Sequence, residues 1–172
     1  MTPLDTPIPS LAPASPAEQA ETIAARCLDV LEGRATLADA CDYTPAELEA
    51  VYERGYHAWN AGDLDSATTS FAFLALQQPL DRRFLFAFAC ALQQQGEFRH
   101  ALTFFGYTVA MQANDPFAPF HVAECLLALG EVDAARDALD AVAALCYGQA
   151  DADPRYDALR QRAEALLADL NH

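Results

Sequence analysis

Lysine is absent from this chain of 172 residues, so its ten basic side chains are all arginines, against 25 acids and a formal net charge of −15. A surface that acidic repels phosphate backbones, and the arginines are too dispersed to make a basic face, which argues against direct binding to nucleic acid. The five cysteines (Cys27, Cys41, Cys90, Cys125, Cys146) are odd in number and form no C-x-x-C pair. Neither a disulfide framework nor a zinc knuckle is expected. Each cysteine sits among apolar or helical neighbours, where a buried free thiol is the ordinary state, and a reducing cytosol is the compartment that fits. No stretch reaches the roughly 18 uninterrupted apolar residues of a membrane span, so stable membrane insertion is not expected. The N-terminus lacks a basic start followed by an apolar run, so a secretory signal is not expected either.

Catalytic signatures are equally scarce. The four histidines (His57, His100, His121, His172) make no H-E-x-x-H motif. His121 and Cys125 stand four apart beside Glu124, but a packed or hydrogen-bonded histidine is the expected state there. Gly-rich phosphate loops and the G-x-S-x-G motif are missing, and the carboxylates are spread along helices as a solvated surface has them. The expectation is no enzyme, no metal and no cofactor.

The sequence is rich instead in apolar residues, at 53%, enough for one domain with a substantial core. Residues 1–16 hold five of the ten prolines and cannot bury enough apolar surface to offset their ordering entropy, so they are expected to be disordered. A helix follows Pro16, with Ile23, Ala24, Cys27, Leu28 and Leu31 at helical spacing and Gly33 as its stop. Thr44-Pro45-Ala46-Glu47 marks a second start, with Thr at the N-cap, Pro at the first helical position and Glu three after the cap. No segment alternates like a strand.

The repeat carries most of the information. Gly62, Gly96 and Gly130 are spaced by 34 and 34 residues, each followed by an acid (Asp63, Glu97, Glu131). Five after each glycine stands an alanine (Ala67, Ala101, Ala135), and four further on a large apolar residue (Phe71, Phe105, Leu139). Seven before each glycine comes a small residue (Gly55, Ala89, Ala123). This is the tetratricopeptide pattern. The glycine turns the chain between helix A and helix B, the small residues let the two helices approach, and the large apolar residue fills the space between units. The fold expected is all-α: a superhelix of three helix pairs at about 48–81, 82–115 and 116–149 within 44–149, after an N-terminal helical segment at 17–43. Over 150–172 a capping helix, 154–170, turns Tyr156, Leu159, Ala163, Leu166 and Leu170 toward the stack, because a solenoid must cover its last apolar face.

In such a stack the A helices line a concave groove. The side chains opposite the small-residue packing line are Tyr52, Tyr56, Trp59 and Asn60 in the first unit, Phe86, Cys90, Gln93 and Gln94 in the second, and Phe120, Glu124 and Leu127 in the third. Aromatics on such a face supply contact area at low entropic cost, with polar tips that orient a bound peptide. Arg82 and Arg83, beside the groove rim, are expected to be solvated.

The sequence also resembles the class II chaperones of bacterial type III secretion, which bind pore-forming translocators. The likeness runs from about Ile23 to the end of the third unit. It is carried by T-L-A at 36–38, T-P-A-E-L-E-A-V-Y at 44–52, A-G-D-L-D-S-A at 61–67, D-R-R-F-L-F-A-F-A-C-A at 81–91 and A-P-F-H-V-A-E-C-L-L-A-L-G-E at 118–131. P-F-H-x-A-E-C is the most specific of these, since ordinary tetratricopeptide repeats do not require it. The resemblance implies a cytoplasmic chaperone that keeps one or two secreted translocators soluble and export-competent, holding a proline-bracketed segment in the concave groove. It further implies a homodimer through the helix before the repeats, with Ile23, Cys27, Leu28 and Leu31 as contacts. Two other readings of the residues stay open: a chaperone of a helical needle subunit, and a transcriptional co-regulator acting through a protein partner.

Overall fold

The computed structural model describes residues 15–147 and 153–170. The proline-rich leader expected over 1–16 lies outside them up to residue 14, as do positions 148–152 at the join between third unit and capping segment, and the last two residues. Ser15 and Pro16 depart from that expectation, because they already start a helix. The chain divides into two compact units at the junction of Asp42 and Tyr43.

The first unit holds α1 (Pro16–Leu31) and the short α2 (Leu37–Ala40). Both begin with reciprocal capping boxes, Ser15 with Glu18 and Thr36 with Asp39, which satisfy backbone N–H groups that a helix start leaves orphaned. Gly33, at φ 70°, ends α1, with the Arg34 N–H donating to Asp29 O at 2.8 Å. The Arg26 guanidinium ties the helices by donating to Ala40 O (2.9 Å) and to the Asp42 carboxylate (2.5 Å). No residue of α1 is buried. Cys27 and Cys41 are exposed, against the expectation of buried thiols: the first unit has too few packed helices to cover them.

The second unit stacks α3 (Pro45–Asn60), α4 (Leu64–Gln77), α5 (Arg82–Gln94), α6 (Phe98–Met111), α7 (Phe117–Ala128), α8 (Val132–Cys146) and α9 (Pro154–Asp169), each packed on the next. The three turn glycines adopt φ 80°, 81° and 77°, a left-handed conformation that side chains with a Cβ disfavour. Each turn closes the same way: the N–H after the glycine donates at 2.9 Å to the carbonyl of Ala58, Leu92 or Leu126, a Schellman closure of the preceding helix. The acids that follow do not act alike. Asp63 accepts from Ser66 N at 3.1 Å, whereas Glu97 and Glu131 make no side-chain cap.

The repeat's small and large positions form the packing line. Ala67, Ala101, Ala135, Ala89, Ala123, Phe105 and Leu139 are all fully buried, and Phe71 is 1% exposed. At the far end α9 lays Leu159 and Ala163 on Phe120, Leu139, Val142 and Cys146, with Tyr156, Leu166 and Leu170 packed around them. Burying a leucine of this kind stabilises by about 1.5–3 kcal/mol. Asp153 starts the helix by accepting from Arg155 N (2.9 Å), and the Arg136 guanidinium ties its end by donating to Leu170 O (3.1 Å).

Candidate functional site

Along the second unit the odd-numbered helices α3, α5, α7 and α9 share one face, and three cavities open on it. The first, about 130 Å³, lies between α3 and α5 and is lined by Tyr56, Trp59, Phe71, Ala87 and Cys90. Its floor is the Phe71 ring, which reaches under α3 because residue 55 is glycine: a Cβ there would come within 2.6 Å of Phe71 Cε1. Tyr52 stands behind Tyr56 with ring centroids 4.8 Å apart and hydroxyls 3.3 Å apart. Burial, reinforced by that hydrogen bond, pushes the Tyr52 phenol well above its ordinary value. The Cys90 thiol is pushed up to about 12, chiefly by burial, so it is an uncharged, apolar piece of wall.

The second cavity, about 420 Å³, is lined by Arg82, Phe86, Gln112, Asp115, Phe117, His121, Arg155 and Tyr156. Arg82 is not the solvated rim residue expected. It pairs with the buried Asp115 and lies over the Phe86 ring at 5.8 Å. Asp115 also accepts from Phe117 N (3.1 Å), which fixes the start of α7. Arg83 is more exposed, but it too is engaged, bonding Asp81 (2.9 Å) and Glu49 (3.3 Å) while covering Tyr52 and Phe84.

The third cavity, about 470 Å³, is lined by Gln93, Gln94, Phe98, His121, Glu124, Leu127 and Leu166. Its floor is a polar cluster. The Gln93 amide donates to Glu124 Oε2 (3.1 Å), Arg162 donates to Glu124 Oε1 (3.1 Å), and His121 Nδ1 stands 2.9 Å from Gln93 Oε1. Burial would raise the Glu124 carboxyl, but bonds and charge from His121, Gln93 and Arg162 outweigh it and hold the group below its ordinary value. His121 also borders the second cavity, so it stands between the two.

The structure thus brings together Tyr56, Trp59 and Cys90 at the first cavity, Phe86 at the second, and Gln93, Glu124 and Leu127 at the third, with Tyr52 supporting Tyr56. Asn60 is exposed and lines none of these three cavities. Phe120 is a correction. It is 1% exposed and belongs to the core under α9, with Arg162 over its ring at 4.6 Å. Ile23, Leu28 and Leu31 of α1 are 62%, 53% and 82% exposed, and Cys27 is exposed beside them. The sequence reading missed the share of α9 in this face, namely Arg155, Tyr156 and Leu166 as lining and Arg162 as the anchor of Glu124. The seven-residue spacing of Arg155 and Arg162 was a usable signal, since it puts both on one helical face.

Among the described residues no group of three or more His, Cys, Asp and Glu side chains could hold a metal, and no helix is long and apolar enough to cross a membrane.

Residues 84–115 match the tetratricopeptide-repeat family model. Low calcium response locus protein H of Yersinia pestis is 29% identical over 109 residues, which is 63% of this chain and 65% of that protein. The matched stretch therefore spans just under two thirds of that relative's length. Among solved structures, a type III secretion complex from Aeromonas hydrophila is 31% identical at a TM-score of 0.74, covering 84% of this chain and 94% of that one. The Yersinia enterocolitica type III secretion chaperone SycD, bound to a peptide of the translocator YopD, is 26% identical at a TM-score of 0.68, covering 74% and 95%.

Proposed function

We propose that this chain, a member of the class II chaperone family of bacterial type III secretion, holds an extended segment of a secreted translocator against the face built by α3, α5, α7 and α9. The observation that carries the reading is the run of three cavities along that face, walled by Tyr56, Trp59, Phe86 and Leu127, with the Phe71 ring as the floor of the first and a polar cluster as the floor of the third. Discrete cavities suit single side chains spaced along an extended strand. A helical needle subunit would want one continuous apolar trough.

A translocator exposes membrane-seeking segments that aggregate in water, and ordering a disordered client costs about 2–5 kcal/mol of the gross interaction energy. A preformed groove avoids a second ordering cost on the chaperone side. Tyr56 and Trp59 are the anchors, each worth around 2 kcal/mol or more when fully desolvated. The three units at about 48–81, 82–115 and 116–149 form the binding superhelix, and the protein works in the cytoplasm without catalysis or cofactor. The apolar stripe of Ile23, Cys27, Leu28 and Leu31 on α1 is the contact for a second copy of the chain, supported by its exposure.

Filling the first cavity tests the proposal. Cys90→Phe is expected to keep the helical spectrum and to lower affinity for the YopD peptide at least tenfold by calorimetry. Unchanged affinity in a folded Cys90→Phe protein would remove this face as the binding site.

A further inference from the structure

His121 is the polar centre of the groove, and its hydrogen bonds fix which ring nitrogen carries the proton. The Gln93 amide nitrogen donates to Glu124 Oε2 at 3.1 Å, so its carbonyl oxygen is the atom turned to His121. His121 Nδ1 lies 2.9 Å from that oxygen and 3.2 Å from Glu124 Oε2. Both neighbours only accept, so Nδ1 must be the protonated nitrogen. In the neutral ring Nε2 then carries a lone pair, and among the described residues nothing bonds it. Aromatic neighbours flank the ring. It is stacked on the fully buried Phe105 at 5.1 Å and 6° between planes, with the Phe86 edge at 5.5 Å. Arg162 holds Glu124 from the other side at 3.1 Å, so the orienting carboxylate is itself anchored.

An unpaired acceptor half-buried in an aromatic wall costs free energy once a client excludes water from it. It therefore discriminates between clients that supply a donor there and clients that do not. From this geometry we infer that His121 Nε2 accepts a hydrogen bond from an N–H of the client strand as that strand passes between the second and third cavities. His121 is in this way a specificity-determining residue of the groove, oriented by Gln93 and Glu124. The inference rests on the proposed function, because it assumes that a client strand lies on this face.

The test has two parts. Long-range ¹H–¹⁵N spectra of the protein alone at pH 8.5 are expected to show the proton on Nδ1 and an unprotonated Nε2. A proton on Nε2 would overturn the inference whatever the client does. In the second part the probe is the YopD peptide, made also with each backbone N–H in turn replaced by an ester oxygen and each side chain in turn by alanine. His121→Phe, which keeps the ring stack, is expected to lower affinity about tenfold. One substituted peptide should show the same loss toward the unsubstituted protein and no further loss toward the variant. An ester at that position assigns the donor to the backbone, and an alanine assigns it to a side chain. Equal affinity of His121→Phe and the unsubstituted protein would overturn the inference. Failure of the unsubstituted protein to bind the peptide counts against the proposed function, while the proton position still decides this one.

Discussion

A Cβ added to Gly55 would meet the Phe71 ring at 2.6 Å, and that ring is both the core contact of the first helix pair and the floor of the first groove cavity. The smallest residue of α3 therefore sets the depth of the pocket beside it. Gly55→Ala gains about 1 kcal/mol of helix propensity but overpacks at a cost of about 1–3 kcal/mol. The expected result is a melting temperature lower by roughly 3 °C, together with weaker peptide binding as the ring is driven into the cavity. A thermal melt and a peptide titration on one sample check both.

At Gly96 the argument is conformational rather than steric. Nothing stands within 4 Å of a Cβ there, yet φ is +81°. Gly96→Ala is expected to destabilise by about 1–2 kcal/mol, and Gly96→Asn by less, because asparagine tolerates this region. Chemical denaturation of the three proteins measures the order.

Acid should weaken the groove floor. Glu124 is held below its ordinary value of 4.5 by His121, Gln93 and Arg162. A group with a lowered folded-state value contributes stability that is complete above its unfolded value and lost as pH falls through the folded one. Melting temperature is therefore expected to fall as pH drops from about 5 toward 3, and to fall less for Glu124→Gln. Capping carboxylates such as Glu47, lowered by the Thr44 backbone and hydroxyl bonds, add to the same acid limb in both proteins.

The cysteines report on α1. Cys90, Cys125 and Cys146 are raised by burial and should resist iodoacetamide in the native protein, because the thiolate is the reactive form. Cys41 should react at once. Cys27 should react slowly in the unsubstituted protein and quickly in Leu28→Glu, if a second copy covers the stripe. Mass spectrometry gives the modified sites, and sedimentation should show Leu28→Glu shifted toward monomer.

The helices and their turns were legible because they are local. Gly62, Gly96 and Gly130 announce themselves by spacing, and Thr44 with Glu47 announces a cap. The spacing of Tyr52, Tyr56 and Trp59 did put the three on one face of α3, but that face is beside Gly55 rather than opposite it, since all three rings meet Phe71, the ring under Gly55. What escaped was contact across units. Phe120 continued the stripe of Glu124 and Leu127 on paper, but α9 returns over it from about forty residues away. The pairing of Arg82 with Asp115 and of Gln93 with Glu124 escaped for the same reason, although the partners stand 33 and 31 residues apart. That separation is close to one repeat, so corresponding stretches of adjacent units meet. Pairing residues about 34 apart is thus a usable rule for a repeat of this length.

The central claim is that the α3–α5 end of the groove receives a client strand, and Trp59, the chain's one tryptophan, lies in its first cavity. The most direct measurement is a titration of Trp59 fluorescence with the YopD peptide, repeated with a scrambled peptide and with Tyr56→Ala. The account predicts a saturable change in the micromolar range, lost on scrambling and weakened about tenfold or more by Tyr56→Ala at unchanged helicity. A flat response, or equal responses to the native and scrambled peptides, would contradict it.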